Sequence, residues 1–184
     1  MVRKFGIRRP ALGLTQRRRL IDRKFRQNWR SYLFQSALTM LALLIILLVI
    51  DVVLQAAIVV AIASTAFIVF VAPHSNAASP RRVVGGHMVS VIVGTFFSMT
   101  FLAPELGDLV STSQSVRDLF AVLSVGLSML LMAVTDSEHP PAAGTALGLV
   151  ITGWTPSAVL FVVLGSVILS VIHLLLRPYL KNLL

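Results

Sequence analysis

The chain has 184 residues, 57% of them hydrophobic and 12% charged, with a mean hydropathy of +0.89. This balance excludes an ordinary water-soluble domain and points to a membrane protein. Eleven of the sixteen Lys and Arg residues, but only one of the seven acids, lie in residues 1–30, so the basicity that would suggest a nucleic-acid binder belongs to one arm on a nearly neutral apolar body. With no cysteine, disulfides, thiolate zinc sites and a cysteine nucleophile are excluded.

The arm, residues 1–31, places Ile21, Phe25, Trp29 and Tyr32 at helical spacing, while Arg17, Arg18, Arg19, Arg23, Lys24, Arg26 and Arg30 occupy the remaining faces. That pattern predicts an amphipathic helix on anionic lipid, or a topogenic basic signal. The apolar stretch behind it is too long for a secretory signal peptide and lacks a small-residue cleavage site.

Residues 32–177 divide into six apolar segments. The first two, 33–50 and 52–72, are separated only by Asp51. A run of about 40 apolar residues is twice the length needed to cross a bilayer, so a hairpin with Asp51 at its tip is expected. The third segment, 83–103, follows a polar link. The fourth, 116–135, is preceded by Ser115 and Asp118 at capping-box spacing, which predicts the helix start there. The fifth, 140–154, is only about 22 Å long at 1.5 Å per residue, against a hydrocarbon core of about 30 Å, so it is expected not to cross unaided, and a re-entrant course, which would alter the count of crossings, stands as the alternative. The sixth, 155–176, opens on Thr155-Pro156 and stops at Arg177-Pro178, leaving residues 178–184 as a short cytoplasmic tail. The fold class read from this pattern is an all-α, polytopic transmembrane helix bundle.

Lys and Arg are retained on the cytoplasmic side of membranes. Six crossings with the N-terminus inside put every basic residue but Arg117 on that side. A multi-pass protein of the cell's inner (plasma) membrane is therefore expected. Small residues recur every fourth position: Gly86, Ser90, Gly94 and Ser98 on the third segment, and Gly144, Gly148 and Thr152 on the fifth. Such stripes let helix backbones approach closely in lipid.

The second-to-third and fourth-to-fifth segment pairs read alike, each an apolar span, a polar turn with Pro and His, and a Gly-striped helix. This suggests a parallel internal repeat of two-helix units. Two helix N-termini would then meet on the cytoplasmic side, each carrying about half a positive charge. Free N–H groups there, with Ser79, Arg81, Arg82, His87, His139 and Thr145, would suit a small anion. Asp136 and Glu138 beside the second mouth would instead favour a proton or a cation. Both signs of ligand stand at this point.

The run His139-Pro140-Pro141-Ala142-x-Gly144-Thr145-Ala146-Leu147, with Pro73-x-Ser75-x-x-Ala78-x-Pro80-Arg81 leading into Gly85-Gly86-His87-x-x-Ser90-x-x-x-Gly94, resembles the HPP family of small integral membrane proteins. The resemblance covers roughly residues 33–176. It departs where residues 61–67 read Ala-Ile-Ala-Ser-Thr-Ala-Phe, lacking an expected glycine before the Ala/Ser pair. Plant plastid and cyanobacterial members of that family are associated with nitrite transport, so the resemblance implies a transporter or channel for a small inorganic anion, nitrite foremost. The candidate substrate-binding residues are then Ser79, Arg81, Gly86, His87, Ser90, His139, Pro140, Pro141, Gly144 and Thr145.

The rival reading is a membrane anchor, assembly or electron-transfer subunit with histidine-ligated haem, for which two histidines at similar depth are needed. An enzyme is not expected, since the sequence has neither a nucleophile elbow nor a nucleotide-binding glycine loop. No catalytic residues, resident cofactor or metal site are expected either. The partners expected are the lipid bilayer, anionic lipid at the arm, a small inorganic anion and further copies of the chain, with no nucleic acid.

Overall fold

Proline at the first helical position sets three of the helices. Its missing N–H removes no intrahelical bond there, and its φ is already helical. The computed structural model describes residues 27–31, 33–35, 37, 38, 40–42, 56–103, 107, 108, 110 and 112–183. The expected hairpin tip at Asp51, much of the first segment, and Ile21, Phe25 and Tyr32 of the arm lie outside them. Among the described residues the long helices are α1 (Ala56–Val71), α2 (Pro80–Thr100), α3 (Gln114–Val134), α4 (Pro140–Ile151) and α5 (Pro156–Leu176). Short 3₁₀ turns lie at Asn76–Ala78 and Arg177–Tyr179, the described residues within 27–42 and 107, 108, 110 and 112 are helical too, and no strand occurs among the described residues.

The expected Thr155 start is present: its side chain accepts from the Ala158 N–H at 3.2 Å. The capping box expected at Ser115 is not. The helix begins earlier, with Ser113 in extended backbone as the N-cap, and Asp118 instead accepts from Gln114 Nε2 at 2.8 Å. At the far end of α3, Asp136 takes a left-handed φ of 51°. The Ser137 N–H then reaches back to the Met132 carbonyl at 2.9 Å, closing the helix with a Schellman-type bond.

By length and composition, α2, α3 and α5 can each cross a membrane, while α1 and α4 are shorter apolar helices. The side chains are distributed as lipid requires. On α3, Leu119, Val122, Leu130 and Val134 face outward, whereas Ala121, Ser124 and Ser128 are buried. The two serines donate to carbonyls three residues back, Ala121 O at 2.7 Å and Val125 O at 2.9 Å, so their burial leaves no donor unpaired.

α4 is enclosed by α1, α2 and α3, and α5 packs on α1 and α2. Small residues permit this. A Cβ on Gly94 would lie 3.0 Å from both Ala146 Cα and Leu149 Cβ, and one on Gly148 would lie 2.8 Å from Ile58 Cγ1. The contacts also fix direction. α4 runs parallel to α2, with Gly86 against His139 and Gly94 against Ala146, and antiparallel to α1, with Gly144 near Ala61. α5 runs opposite to α2, since the Trp154 N–H donates to Ser98 Oγ at one end while His173 Nε2 donates to the Pro73 carbonyl at the other. The parallel course of α2 and α4 is the one the repeat predicts.

Twelve residues make α4 only about 18 Å long. Its first turn lies level with Gly86, roughly six residues inside the start of α2, or about 9 Å deeper. The short fifth segment thus forms a central helix set below the basic end of the bundle.

Candidate functional site

At the inset start of α4, four polar side chains from three helices and a turn meet in an apolar surround. Thr65 comes from α1, His87 from α2, His139 from the turn before α4, and Thr145 from α4 itself; all four are 0% exposed. Thr65 Oγ1 is the hub, 2.8 Å from His87 Nε2 and 2.9 Å from His139 Nε2. His87 Nδ1 lies 3.0 Å from Thr145 Oγ1, and His139 Nδ1 lies 2.9 Å from the Ala77 carbonyl oxygen. The two imidazole centroids are 5.4 Å apart, with the rings tilted by 57°.

Donor and acceptor chemistry orders the protons. A carbonyl only accepts, so His139 Nδ1–H donates to Ala77 O, and Nε2 of the neutral ring is an acceptor. The Thr65 hydroxyl also reaches the Ala61 carbonyl at 3.0 Å; with its one proton turned to the neutral His139 Nε2 it accepts from His87 Nε2–H, which leaves His87 Nδ1 to accept from Thr145. The result is a one-way chain, Thr145 to His87 to Thr65 to His139 to the Ala77 carbonyl. Every ring nitrogen in it is paired, as burial demands. Ser90, one helical turn beyond His87 and also 0% exposed, has a hydroxyl with no partner among the described residues.

Above this chain, at the basic end, charges pair with each other. Arg82 contacts both Asp136 and Glu138, the latter at 2.6 Å. Arg81 contacts Asp136 at 3.4 Å and donates to the Thr135 carbonyl at 3.3 Å. The acids that seemed set against an anion are therefore neutralised, and so are the arginines. A groove of about 400 Å³ opens beside the pairs, with Glu138, His139 and Ala143 on one side and Met129 and Met132 on the other.

The free N–H groups expected at the two helix mouths are largely missing. Pro140 and Pro141 have none, and the Ala142 N–H is bonded to the His139 carbonyl at 2.9 Å. On α2, Pro80 has none, and the N–H groups of Arg82 and Val83 both go to the Ser79 carbonyl at 2.9 Å. The prolines that start these helices also remove their anion-binding donors, leaving the dipole and the side chains.

Of the candidates from sequence, His87 and Thr145 are joined directly and His139 joins them through Thr65, with Ser90 next to them. Gly86 provides the space for His139, and Pro140 and Pro141 set where α4 begins. Gly144 faces Ala61, where an added Cβ would make an ordinary contact at 3.5 Å. Ser79 stays at the mouth as the N-cap of α2 without a side-chain capping bond, and Arg81 is exposed and turned to Asp136. Sequence reasoning missed Thr65 and the Ala77 carbonyl. A hydroxyl pair, Ser64-Thr65, inside an otherwise apolar span was the available signal for the first.

Comparison with known proteins agrees with this architecture. A family profile described as HPP, transmembrane region, matches residues 24–182. A transmembrane protein of Dictyostelium discoideum is 36% identical over 85 residues, covering 46% of this chain and 27% of the relative. A second transmembrane protein of the same organism is 33% identical over 85 residues, covering 46% and 24%. The match thus spans about a quarter of the length of these curated relatives. No solved structure matches the chain.

Proposed function

The chain belongs to the HPP transmembrane family, and on that premise we propose that it is a carrier for a small inorganic anion, with nitrite the candidate, rather than an enzyme. The observation that carries the proposal is the fully buried chain Thr145–His87–Thr65–His139 in the middle of an apolar bundle. Ionisable side chains at membrane depth are costly, and in such settings they mark substrate or ion pathways. Ligand groups left for a small anion are the Ser90 hydroxyl and the positive ends of α2 and α4, since the imidazole N–H groups and the Thr145 hydroxyl are taken up in the buried chain. Arg81, Arg82, Asp136 and Glu138 form a paired cap over the approach from the basic end.

The same proposal takes the protein as multi-pass in the plasma membrane with a cytoplasmic N-terminus. Arg81, Arg82, Arg177 and Lys181 share one end of the bundle, and Gln35, just after the basic arm, bonds to the Lys181 carbonyl there at 2.8 Å. Contact of the arm with anionic lipid and assembly into homo-oligomers belong to this reading too.

Haem ligation by the histidine pair is the less favoured alternative. A porphyrin between the rings would have to displace Thr65 Oγ1, which both Nε2 atoms hold.

Nitrite uptake into proteoliposomes tests the proposal. The expected result is uptake above protein-free vesicles that is lost in His139→Ala and Thr145→Val, and in Gly144→Leu, which would push α1 off α4, while the amount of folded protein is unchanged in the first two. Uptake no greater than the protein-free leak would overturn the carrier reading. Full uptake in both His139→Ala and Thr145→Val would overturn the site.

A further inference from the structure

We propose that Thr65, His87 and His139 form the coupling-proton site of this carrier, holding one proton together with one monovalent anion and releasing both to water on the far side. The inference rests on the carrier reading for its coupling, and on the geometry of the hydroxyl hub for the proton.

The hub can serve two protonation states without moving a heavy atom. In the neutral state the Thr65 hydroxyl donates to His139 Nε2 at 2.9 Å. When hydronium from the water side gives a proton to that nitrogen, its O–H bond breaks as the N–H bond forms and water leaves, and His139 then donates through both nitrogens, to the Ala77 carbonyl and to Thr65 Oγ1. The Thr65 hydroxyl then turns its own proton to the Ala61 carbonyl, which lies within reach at 3.0 Å. His87 Nε2–H keeps donating to Thr65 throughout. A backbone carbonyl, a rotatable hydroxyl and a second carbonyl thus keep the imidazole fully paired whether or not it is charged, which a fixed donor in place of Thr65 would not do.

The count of one follows from the spacing. With ring centroids 5.4 Å apart in an apolar surround, a charge on His139 opposes a second on His87. Of the charged groups described at this end, Arg82, Asp136 and Glu138 pair among themselves, Arg81 is bound to Asp136, and Arg177 and Lys181 belong to the segment that follows α5. His74 and His173 donate to the carbonyls of Leu180 and Pro73, away from the pair. α1 brings no titratable side chain to the cluster among its described residues. The protonated cluster therefore carries a single positive charge, the amount needed to bring one monovalent anion into an apolar site as a neutral pair. The unpartnered Ser90 hydroxyl, one turn from His87, is a ready donor to that anion.

Two measurements test this. Histidine-selective ¹⁵N NMR of the full chain in lipid nanodiscs is expected to show His139 as the Nδ1–H form, and uptake of one proton, not two, by the pair on acidification. Thr65→Val, which removes the acceptor for the charged ring, should move that uptake to lower pH, with Thr65→Ser restoring it. Two independent protonations, none before the protein unfolds, or an unchanged titration in Thr65→Val would overturn the proton site. In proteoliposomes containing a pH dye, a nitrite gradient should acidify the lumen beyond the protein-free leak, and Thr65→Val should lose most of that acidification. Nitrite uptake without acidification overturns the coupling while the carrier reading stands. One-proton titration in a protein that moves no nitrite overturns the carrier reading and leaves the proton site.

Discussion

Gly86 on α2 lies directly against His139: a Cβ at Gly86 would fall 2.8 Å from His139 Cβ and 2.9 Å from the Ser137 carbonyl oxygen. The turn before α4 fits only because that atom is absent. Gly86→Ala is expected to destabilise the protein by about 1–3 kcal/mol, the usual cost of overpacking a closed contact, and to displace His139 from Thr65. Gly126→Ala on α3, where nothing lies within 4 Å, should leave the unfolding midpoint in detergent unchanged. Equal midpoints for the two variants would contradict the packing described.

Among the described residues, Thr65 is the hydrogen-bonded link between the two histidines. Thr65→Val keeps the shape and deletes the hydroxyl, leaving His139 Nε2 without a donor and His87 Nε2–H without an acceptor. An unsatisfied buried polar group costs about 1–3 kcal/mol, so a lower unfolding midpoint is expected, with Thr65→Ser recovering most of it. Thermal unfolding of the three proteins in one detergent makes the comparison.

The two arginines at the mouth should behave differently. Arg82, with 23% of its side chain exposed, holds Asp136 and Glu138 together, whereas Arg81 is 71% exposed and stands 3.4 Å from Asp136. Because the carboxylates are half exposed and screened by water, Arg82→Gln is expected to cost only about 0.2–1 kcal/mol per pair, less at high salt, and Arg81→Gln nothing measurable. Unfolding midpoints at low and high salt distinguish the two. A larger loss for Arg81 would contradict the pairing.

Gln35 holds the C-terminal segment to the bundle. Buried at 1% exposure, its Nε2 donates to the carbonyls of Phe70 and Lys181, while the Leu183 N–H donates to the Val71 carbonyl at 2.9 Å. Gln35→Leu is expected to free residues 180–183 and to speed hydrogen exchange at their amides severalfold. Exchange at the wild-type rate would show that the Leu183 bond, with the 3.1 Å bond from the His74 N–H to Asn182 Oδ1, suffices.

Helix starts were legible because proline and threonine act locally. Pro140 and the Thr155-Pro156 pair each mark a start to within a residue or so, the third segment, read from residue 83, begins three residues earlier at Pro80, and the short fifth segment is the short central helix. The start of α3 was misplaced because Ser113 and Ser115 carry equivalent chemistry, and only the backbone conformation tells them apart. His87 and His139 were singled out as members of a repeat, yet they are not equivalent positions in it. His87 lies two turns into α2 and His139 precedes α4, and the pair forms because α4 is inset. Depth offsets of this kind come from packing among several helices, and no short-range pattern encodes them. Arg81 was read as a ligand because its charge is visible in sequence, while its partner across the turn, Asp136, lies 55 positions away.

The last acceptor in the buried chain is a main-chain atom, the carbonyl of Ala77. No side-chain replacement at position 77 deletes that oxygen. A mutational scan would therefore score the position as tolerant, although its oxygen selects which tautomer His139 adopts and hence which way every proton behind it points. What such a scan would detect instead is the shape of the Asn76–Ala78 turn that presents the carbonyl. In this protein the part of the relay that sets its polarity is encoded by the path of the backbone, out of reach of ordinary genetics.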